Sequence, residues 1–295
     1  MSPTKPGLYD YGLLLLLAFI WGASFFMIKI AVVTIPPATL TLGRLILAAG
    51  MLLIVARMVG QTLPKWGPIW IWIGFAGLLG NALPFTLINW GQEKIDSGVS
   101  AILMAVMPLF TIFLAHFFTS DEKMTWRKLI GVLLGFVGMI VLIGPEKLLL
   151  LGDEVVRQLA VAGAAICYAF NAMISKKLSG LPRRSLVAAI MLASTLLMIP
   201  YVLAIEQPWD INPSKEAWFI MIVLGLVQTA FATLLLFTII SRQGASFFSQ
   251  INFLVPISGI LWGAIVLAEK PSINAWIALG LILLGIAITR ERKSV

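Results

Sequence analysis

From about residue 11 onward the chain is a succession of long apolar runs, each about a bilayer thick at roughly 20 helical residues. Ten can be drawn, at roughly 11–30, 37–57, 67–90, 97–118, 127–145, 157–176, 184–205, 216–240, 246–267 and 273–290. Lipid offers the backbone no hydrogen-bond partners, so runs of this length and continuity must satisfy their own N–H and C=O groups as helices. The expected fold class is all-α: a polytopic membrane protein of ten transmembrane helices. Composition leaves little alternative. Of 295 residues 60% are hydrophobic and only 12% are charged, whereas a soluble domain carries about 25% charged residues. The mean hydropathy of +1.00 cannot be reconciled with a water-soluble surface. The net charge of +8 therefore points to loops facing the cytoplasm and not to nucleic acid. The one cysteine, Cys167, excludes an internal disulfide and Cys-rich metal sites, and the one histidine, His116, cannot build a His-based site alone. No metal and no cofactor are expected. The first run exceeds the apolar core of a signal peptide, about 7–15 residues, and lacks a small-x-small cleavage site after it. It is read as a retained first span.

The chain repeats itself. Trp21-Gly-Ala-Ser-Phe-Phe-Met-Ile-Lys29 aligns with Tyr168-Ala-Phe-Asn-Ala-Met-Ile-Ser-Lys176. Gly77 aligns with Gly225, Pro108 with Pro256, Glu122-Lys123 with Glu269-Lys270, and Gly138 with Gly285. The offset stays at 147 or 148 throughout. Two units follow: a five-helix repeat at 1–145 and a second at 157–295, joined by a polar linker at 146–156. Five is odd, so the second repeat enters the membrane from the opposite side, and the two are inverted. If the N-terminus is cytoplasmic, fourteen Lys and Arg fall on the inner side and six on the outer, with Arg44 inside a span. The positive-inside rule then puts both termini in the cytoplasm of a multi-pass protein of the cell (inner) membrane.

Two spans are interrupted alike. Pro108 lies eleven residues after Ser97, and Pro256 eleven after Ala245. A mid-helix proline removes the hydrogen bond to the carbonyl four residues back, here that of Met104 or Asn252, and bends the helix. Broken backbone at membrane depth must face protein or a water-filled cavity. Matched interruptions in two half-chains are a pointer to a carrier's binding site, so Pro108 and Pro256 are the expected hinges. Each could also be a mere kink in a packed helix.

The residues also resemble a known family. Trp-Gly-x-Ser-Phe in the first span, an arginine a little into the second (Arg44), and a proline followed about fourteen residues later by Glu-Lys in both halves are similar to the tandem EamA-type repeats of the drug/metabolite transporter superfamily. Within it the chain most resembles the YddG-type exporters of aromatic and other neutral amino acids. The resemblance covers nearly the whole chain. It implies a central cavity, lined by spans 1, 3, 4, 6, 8 and 9, that opens alternately to each side. One departure is that Met191 stands where the first half has Arg44.

A transport site is a mostly apolar pocket with a few placed polar groups, and polar groups inside spans are expensive and face the interior. The candidates are Trp21 and Ser24; Asn81, Phe85 and Asn89; Tyr168 and Asn171; Gln228, Thr229 and Thr233; and Ser246, Ser249, Gln250 and Asn252. Of these, Trp21, Asn81, Phe85, Tyr168, Asn171, Gln250 and Asn252 are the expected substrate-binding set. Any single amide could instead serve an interhelical hydrogen bond, and the aromatics could be core. Pro84 frees the carbonyl of Gly80 beside Asn81. Arg44 could attract a carboxylate, snorkel outward or cap helix ends, and the scaffold role is favoured. Glu122 and Glu269 read as helix-end or gate residues, and His116 as an interfacial hydrogen-bonding group. Gly131-x-x-x-Gly135 could serve a dimer, with packing inside the bundle the preferred use and a monomer the preferred state.

No Asp or Glu falls in a span core. That disfavours a cation held by an ion pair and favours a uniporter or exchanger. The expected function is alternating-access transport of a small neutral or zwitterionic metabolite: amino acids, aromatic ones included, and after them drug-like solutes. The partners are that small molecule and the lipid bilayer, with no nucleic acid. A membrane enzyme would need intramembrane acid–base or metal groups, and a structural protein would not need paired mid-helix prolines.

Overall fold

The computed structural model describes residues 6–118, 124–150 and 152–289. Every regular element among them is helical. Eight helices are long and apolar enough to cross a bilayer: Leu8–Ala31, Pro37–Met58, Ile69–Gln92, Ser97–Phe118, Trp126–Ile143, Asp153–Lys177, Arg183–Glu206 and Lys215–Phe248. Two shorter apolar helices, Ile251–Val266 and Ile273–Thr289, complete the set. They are numbered here as spans 1 to 10 in chain order. A short helix, Pro145–Leu150, occupies much of the stretch read as a linker, and span 6 already begins at Asp153.

Local chemistry sets the ends. Pro37 opens span 2, where its missing N–H costs nothing. Thr125 and Ser214 cap spans 5 and 8 by accepting from Lys128 N at 3.3 Å and Ala217 N at 3.1 Å. Span 8 runs on to Gly244, whose φ of 80° and ψ of 170° break the helix. Glycine adopts that backbone without steric cost, so the chain turns into span 9 with almost no loop. The turn after Gly244, residues 245–248, leads into span 9: the chain is interrupted at Ser249-Gln250 and continues as Ile251–Val266.

The pairing of helices repeats between halves. Span 1 packs on span 9 and span 6 on span 4; span 3 packs on span 6 and span 8 on span 1; span 2 packs on span 8 and span 7 on span 3. Spans 2 and 7 pack together, as do spans 5 and 10. Exchanging the two sets of five carries each of these pairs onto another of them, as two copies of one repeat require. At the span 5–span 10 seam a Cβ on Gly131 would lie 2.5 Å from the carbonyl oxygen of Gly285, and one on Gly285 2.5 Å from that of Gly131. Gly135 is filled by Leu109 of span 4. These glycines serve close approach inside the bundle.

Ten alternating spans define two faces. The first face carries the start of span 1; the second carries the 31–37, 92–97, 143–153, 206–215 and 266–273 connections.

Candidate functional site

Spans 3 and 8 each leave the α-helical path at matching positions. The π-helical stretches are Leu78–Ala82 and Leu224–Phe231, and the repeat offset of 147 carries residue 78 to 225. Such bulges insert an extra residue per turn, misalign the backbone ladder and are frequent at functional sites. The causes differ. In span 3, Pro84 removes the N–H that would meet the Gly80 carbonyl. In span 8, the Thr229 hydroxyl donates to the Leu224 carbonyl at 2.8 Å and so satisfies a group the widened turn exposes.

Arg44 of span 2 reaches between the two bulges. It is 6% exposed. Its Nε donates to Thr229 Oγ1 at 2.5 Å, and its guanidinium lies 3.9 Å over the Phe85 ring of span 3. Tyr168 of span 6 packs on the same buried cluster as Phe85. Asn171, one turn further along span 6, sits against Gly80: a Cβ there would lie 2.7 Å from Asn171 Nδ2. The Asn171 Oδ1 is buried with no hydrogen-bond partner among the described residues, and so is Oε1 of Gln228 in the second bulge. Phe85 and Tyr168 thus share one buried cluster beside Arg44, an arginine that the sequence reading placed in the scaffold, and Asn171 lies one turn along span 6 against Gly80.

The other expected binding residues lie elsewhere. Asn81 is buried and donates to Ser194 Oγ of span 7 at 3.3 Å, an interhelical bond. Asn89 donates to the Pro37 carbonyl and Thr41 Oγ1, both at 3.0 Å, fixing span 3 to the start of span 2. Trp21 is half-buried and meets Phe248 edge-to-face at 6.2 Å. Gln250 and Asn252 are half-buried at the interruption of span 9.

The two prolines are not equivalent in the fold. Span 4 breaks at Ala105-Val106, immediately before the turn that holds Pro108, and resumes at Met107. Pro256 lies inside the continuous helix Ile251–Val266, six residues beyond the Gln250 of the span 9 break. Span 9 is interrupted instead at Ser249-Gln250, shortly after the Gly244 turn and before the proline is reached.

The second face is tied in several places. Glu269, past the end of span 9, accepts from Ser97 N at 2.8 Å, Ser97 Oγ at 3.0 Å and Gly98 N at 3.0 Å. It caps the start of span 4, whose own N-cap residue, Asp96, makes no side-chain cap bond. Glu206 does the same for span 2, accepting from Ala38 N at 2.9 Å and from Thr39 N and Oγ1 at 2.5 and 2.7 Å. Lys29 donates to the Gln92 and Ile95 carbonyls at 2.9 Å each, and Arg157 pairs with Glu93 while donating to the Trp90 carbonyl. Partial burial first, and then the charge on Glu269, push the Asp96 carboxyl above its ordinary 3.8, with Lys29 opposing. A cavity of about 510 Å³ opens on this face, lined by Asp96, Gly98, Glu154, Gln158 and Glu269 among others. None of the expected binding residues lines it. On the first face Asp10 holds Arg242 and Gln243, each at 2.8 Å, and His116 Nδ1 accepts from Met124 N at 3.1 Å. Glu122 lies outside the described residues.

The model of the EamA-like transporter family matches this chain twice, at residues 9–144 and 157–290. The chain belongs to that family. The double match falls on the two sets of five spans. Among relatives of this EamA-like transporter, the inner membrane transporter YedA of Escherichia coli K12 is 27% identical over 288 residues, covering 96% of this chain and 91% of its own. A transporter of Archaeoglobus fulgidus is 25% identical over 277 residues, 92% and 95% of the two chains. A probable terminal-alkyne amino-acid exporter of Streptantibioticus cattleyicolor is 24% identical over 281 residues, 95% and 92%. A crystal structure 20% identical superposes with a TM-score of 0.65 over 94% of this chain and 95% of its own, a likeness of fold. The protein is a multi-pass membrane transporter of small molecules, built as two EamA repeats.

Proposed function

We propose that this transporter moves small neutral or zwitterionic metabolites by alternating access, and that its physiological work is export of aromatic and other neutral amino acids. The observation that carries the substrate class is the composition of the inter-bulge site: one guanidinium, two aromatic rings (Phe85 and Tyr168) and buried amide oxygens, with no carboxylate among the described residues of the span interiors. Acidic residues in the described helices lie in first or last turns, as Asp10, Asp153, Glu154, Glu206 and Glu216 do. Such a site repels no zwitterion and offers a cationic solute no counter-ion. The relative from Streptantibioticus cattleyicolor supports the same class.

The ties described above belong to a conformer closed at the second face. Opening that face requires Glu269 to leave the start of span 4, and span 4 can yield at Ala105-Val106. With both termini cytoplasmic, as the basic residues direct, the second face is the outer one. The test is direct: purified protein in liposomes, screened with labelled amino acids, purines and lipophilic cations. Uptake of neutral amino acids above protein-free vesicles is the expected result. Uptake of the cations alone would overturn the reading in favour of drug-like solutes.

A further inference from the structure

We infer that Arg44, Tyr168 and Asn171 together form the seat for the two charged ends of a zwitterionic solute, with the guanidinium taking the carboxylate and Asn171 Oδ1 accepting from the ammonium. This rests on the amino-acid reading above and names the residues that would enforce it.

The argument begins with an imbalance. A guanidinium carries five N–H donors and cannot be discharged. Arg44 is buried two turns inside span 2, and among the described residues only its Nε–H finds a hydrogen-bond acceptor, the hydroxyl of Thr229. No described carboxylate pairs with it, whereas Arg157 has Glu93 and Asp153, and Arg242 has Asp10. A buried cation without a counter-ion is unfavourable, so a chain that keeps one has left a place for an anion. The anchoring is suited to that use. Phe85 holds the guanidinium plane from one face at 3.9 Å, and Thr229 fixes it at Nε. What remains is the outer edge of the fork, with the two-pronged geometry that matches a carboxylate.

The second charge has its own orphan. Asn171 Oδ1 is a buried acceptor with no partner among the described residues. Its amide is seated against the Cβ-less backbone of Gly80, within the first π-helical stretch. Tyr168, one helical turn from Asn171, packs on the buried cluster that holds Phe85, the ring under the guanidinium. Side chains three residues apart on a helix are about 5–6 Å apart at Cβ. That spacing joins Asn171, through Tyr168, to the Phe85 cluster on which the guanidinium rests. A purely scaffolding arginine accounts for the Thr229 bond but not for the unpaired edge or for the orphaned acceptor of Asn171.

The experiment compares each amino acid with its carboxamide, which keeps the amine and loses the negative charge. In liposomes with the wild-type protein, the free acid should compete with labelled substrate at least tenfold better than the amide. In Arg44→Gln that preference should collapse toward unity, and Arg44→Lys, which keeps the charge without the fork, should retain part of it. Asn171→Leu should weaken acid and amide together. Acid and amide competing equally in the wild type, or Arg44→Gln keeping the full preference, would overturn the assignment while leaving amino-acid transport standing. Transport of no amino acid by the wild type would overturn the underlying reading and this one with it. Equal competition by acid and amide in the wild type overturns the assignment even if the Arg44 variants do not fold.

Discussion

Glu269 does two things at once: it caps span 4 and joins it to the end of span 9. Its acceptors face the positive end of a helix, where a carboxylate adds up to about 1–2 kcal/mol beyond the bonds themselves. Glu269→Gln keeps the shape and loses the charge. The expected outcome is an open second face populated roughly tenfold more, since about 1.4 kcal/mol suffices. The measurement is thiol labelling of single cysteines at that face in a Cys167-free background; unchanged labelling would make Glu269 a cap and no gate. Asp96 gives a pH signature of defined sign. Because its carboxyl is raised above 3.8, the folded protein binds that proton more tightly than the unfolded chain. Its contribution to stability is therefore largest at low pH and falls as pH rises through the raised value. Asp96→Asn should remove that fall, so the variant's melting temperature gains on the parent's above the raised value. A constant difference at all pH values would contradict this. Little of this was legible in the sequence at residue level. Glu269 stood out as a helix-end residue through its repeat partner Glu122, but Glu206, which ends span 7 and caps span 2, carried no repeat signature. Asn81 and Asn171 look equivalent as mid-span amides. Their different fates, a bond to Ser194 against an orphaned oxygen, depend on which neighbour each rotamer meets.

At the level of helices, the matched prolines were the clearest sequence signal, and the fold uses them unequally. Pro108→Ala should restore the hydrogen bond to the Met104 carbonyl, knit Ala105-Val106 into one helix and cut transport several-fold with normal expression. Alanine is the better helix former by about 3 kcal/mol, so insertion should not suffer. Pro256→Ala, inside an already continuous helix, should cost much less. Equal transport in both variants and the parent, measured in liposomes, would make both prolines simple kinks. The ten apolar runs and the repeat were plain because hydropathy and glycine spacing are one-dimensional properties. The π-helical stretches were not, because a widened turn needs only a local reason. Pro84 supplies one visibly. Thr229 supplies the other only by the rotamer that turns its hydroxyl back on the chain.

The whole molecule is two inverted bundles, and its transport cycle must be driven by whatever charges the spans hold. Among the described residues the interiors hold Arg44 and no carboxylate. Downhill flux should therefore persist when proton and sodium gradients are both collapsed; an absolute requirement for either would show a coupling carboxylate elsewhere. Tags at residues 1 and 295 should both be protected in intact cells, and one in the 146–154 stretch accessible from outside. The seam between spans 5 and 10 carries a further consequence. The repeat offset turns the Gly131–Gly285 contact into one between Gly138 and Ala278, and that contact exists: a Cβ on Gly138 would lie 3.1 Å from the Ala278 carbonyl. Each surface is thus complementary to the other after exchange, as at the isologous interface of a homodimer. A covalent tether across such an interface raises the local concentration of one partner around the other and need not contribute any contact. Severing the chain within Pro145–Leu150 and producing the pieces as separate polypeptides should give halves that find each other in the bilayer and copurify. Gly285→Leu, which drives a side chain into the seam, should abolish that recovery.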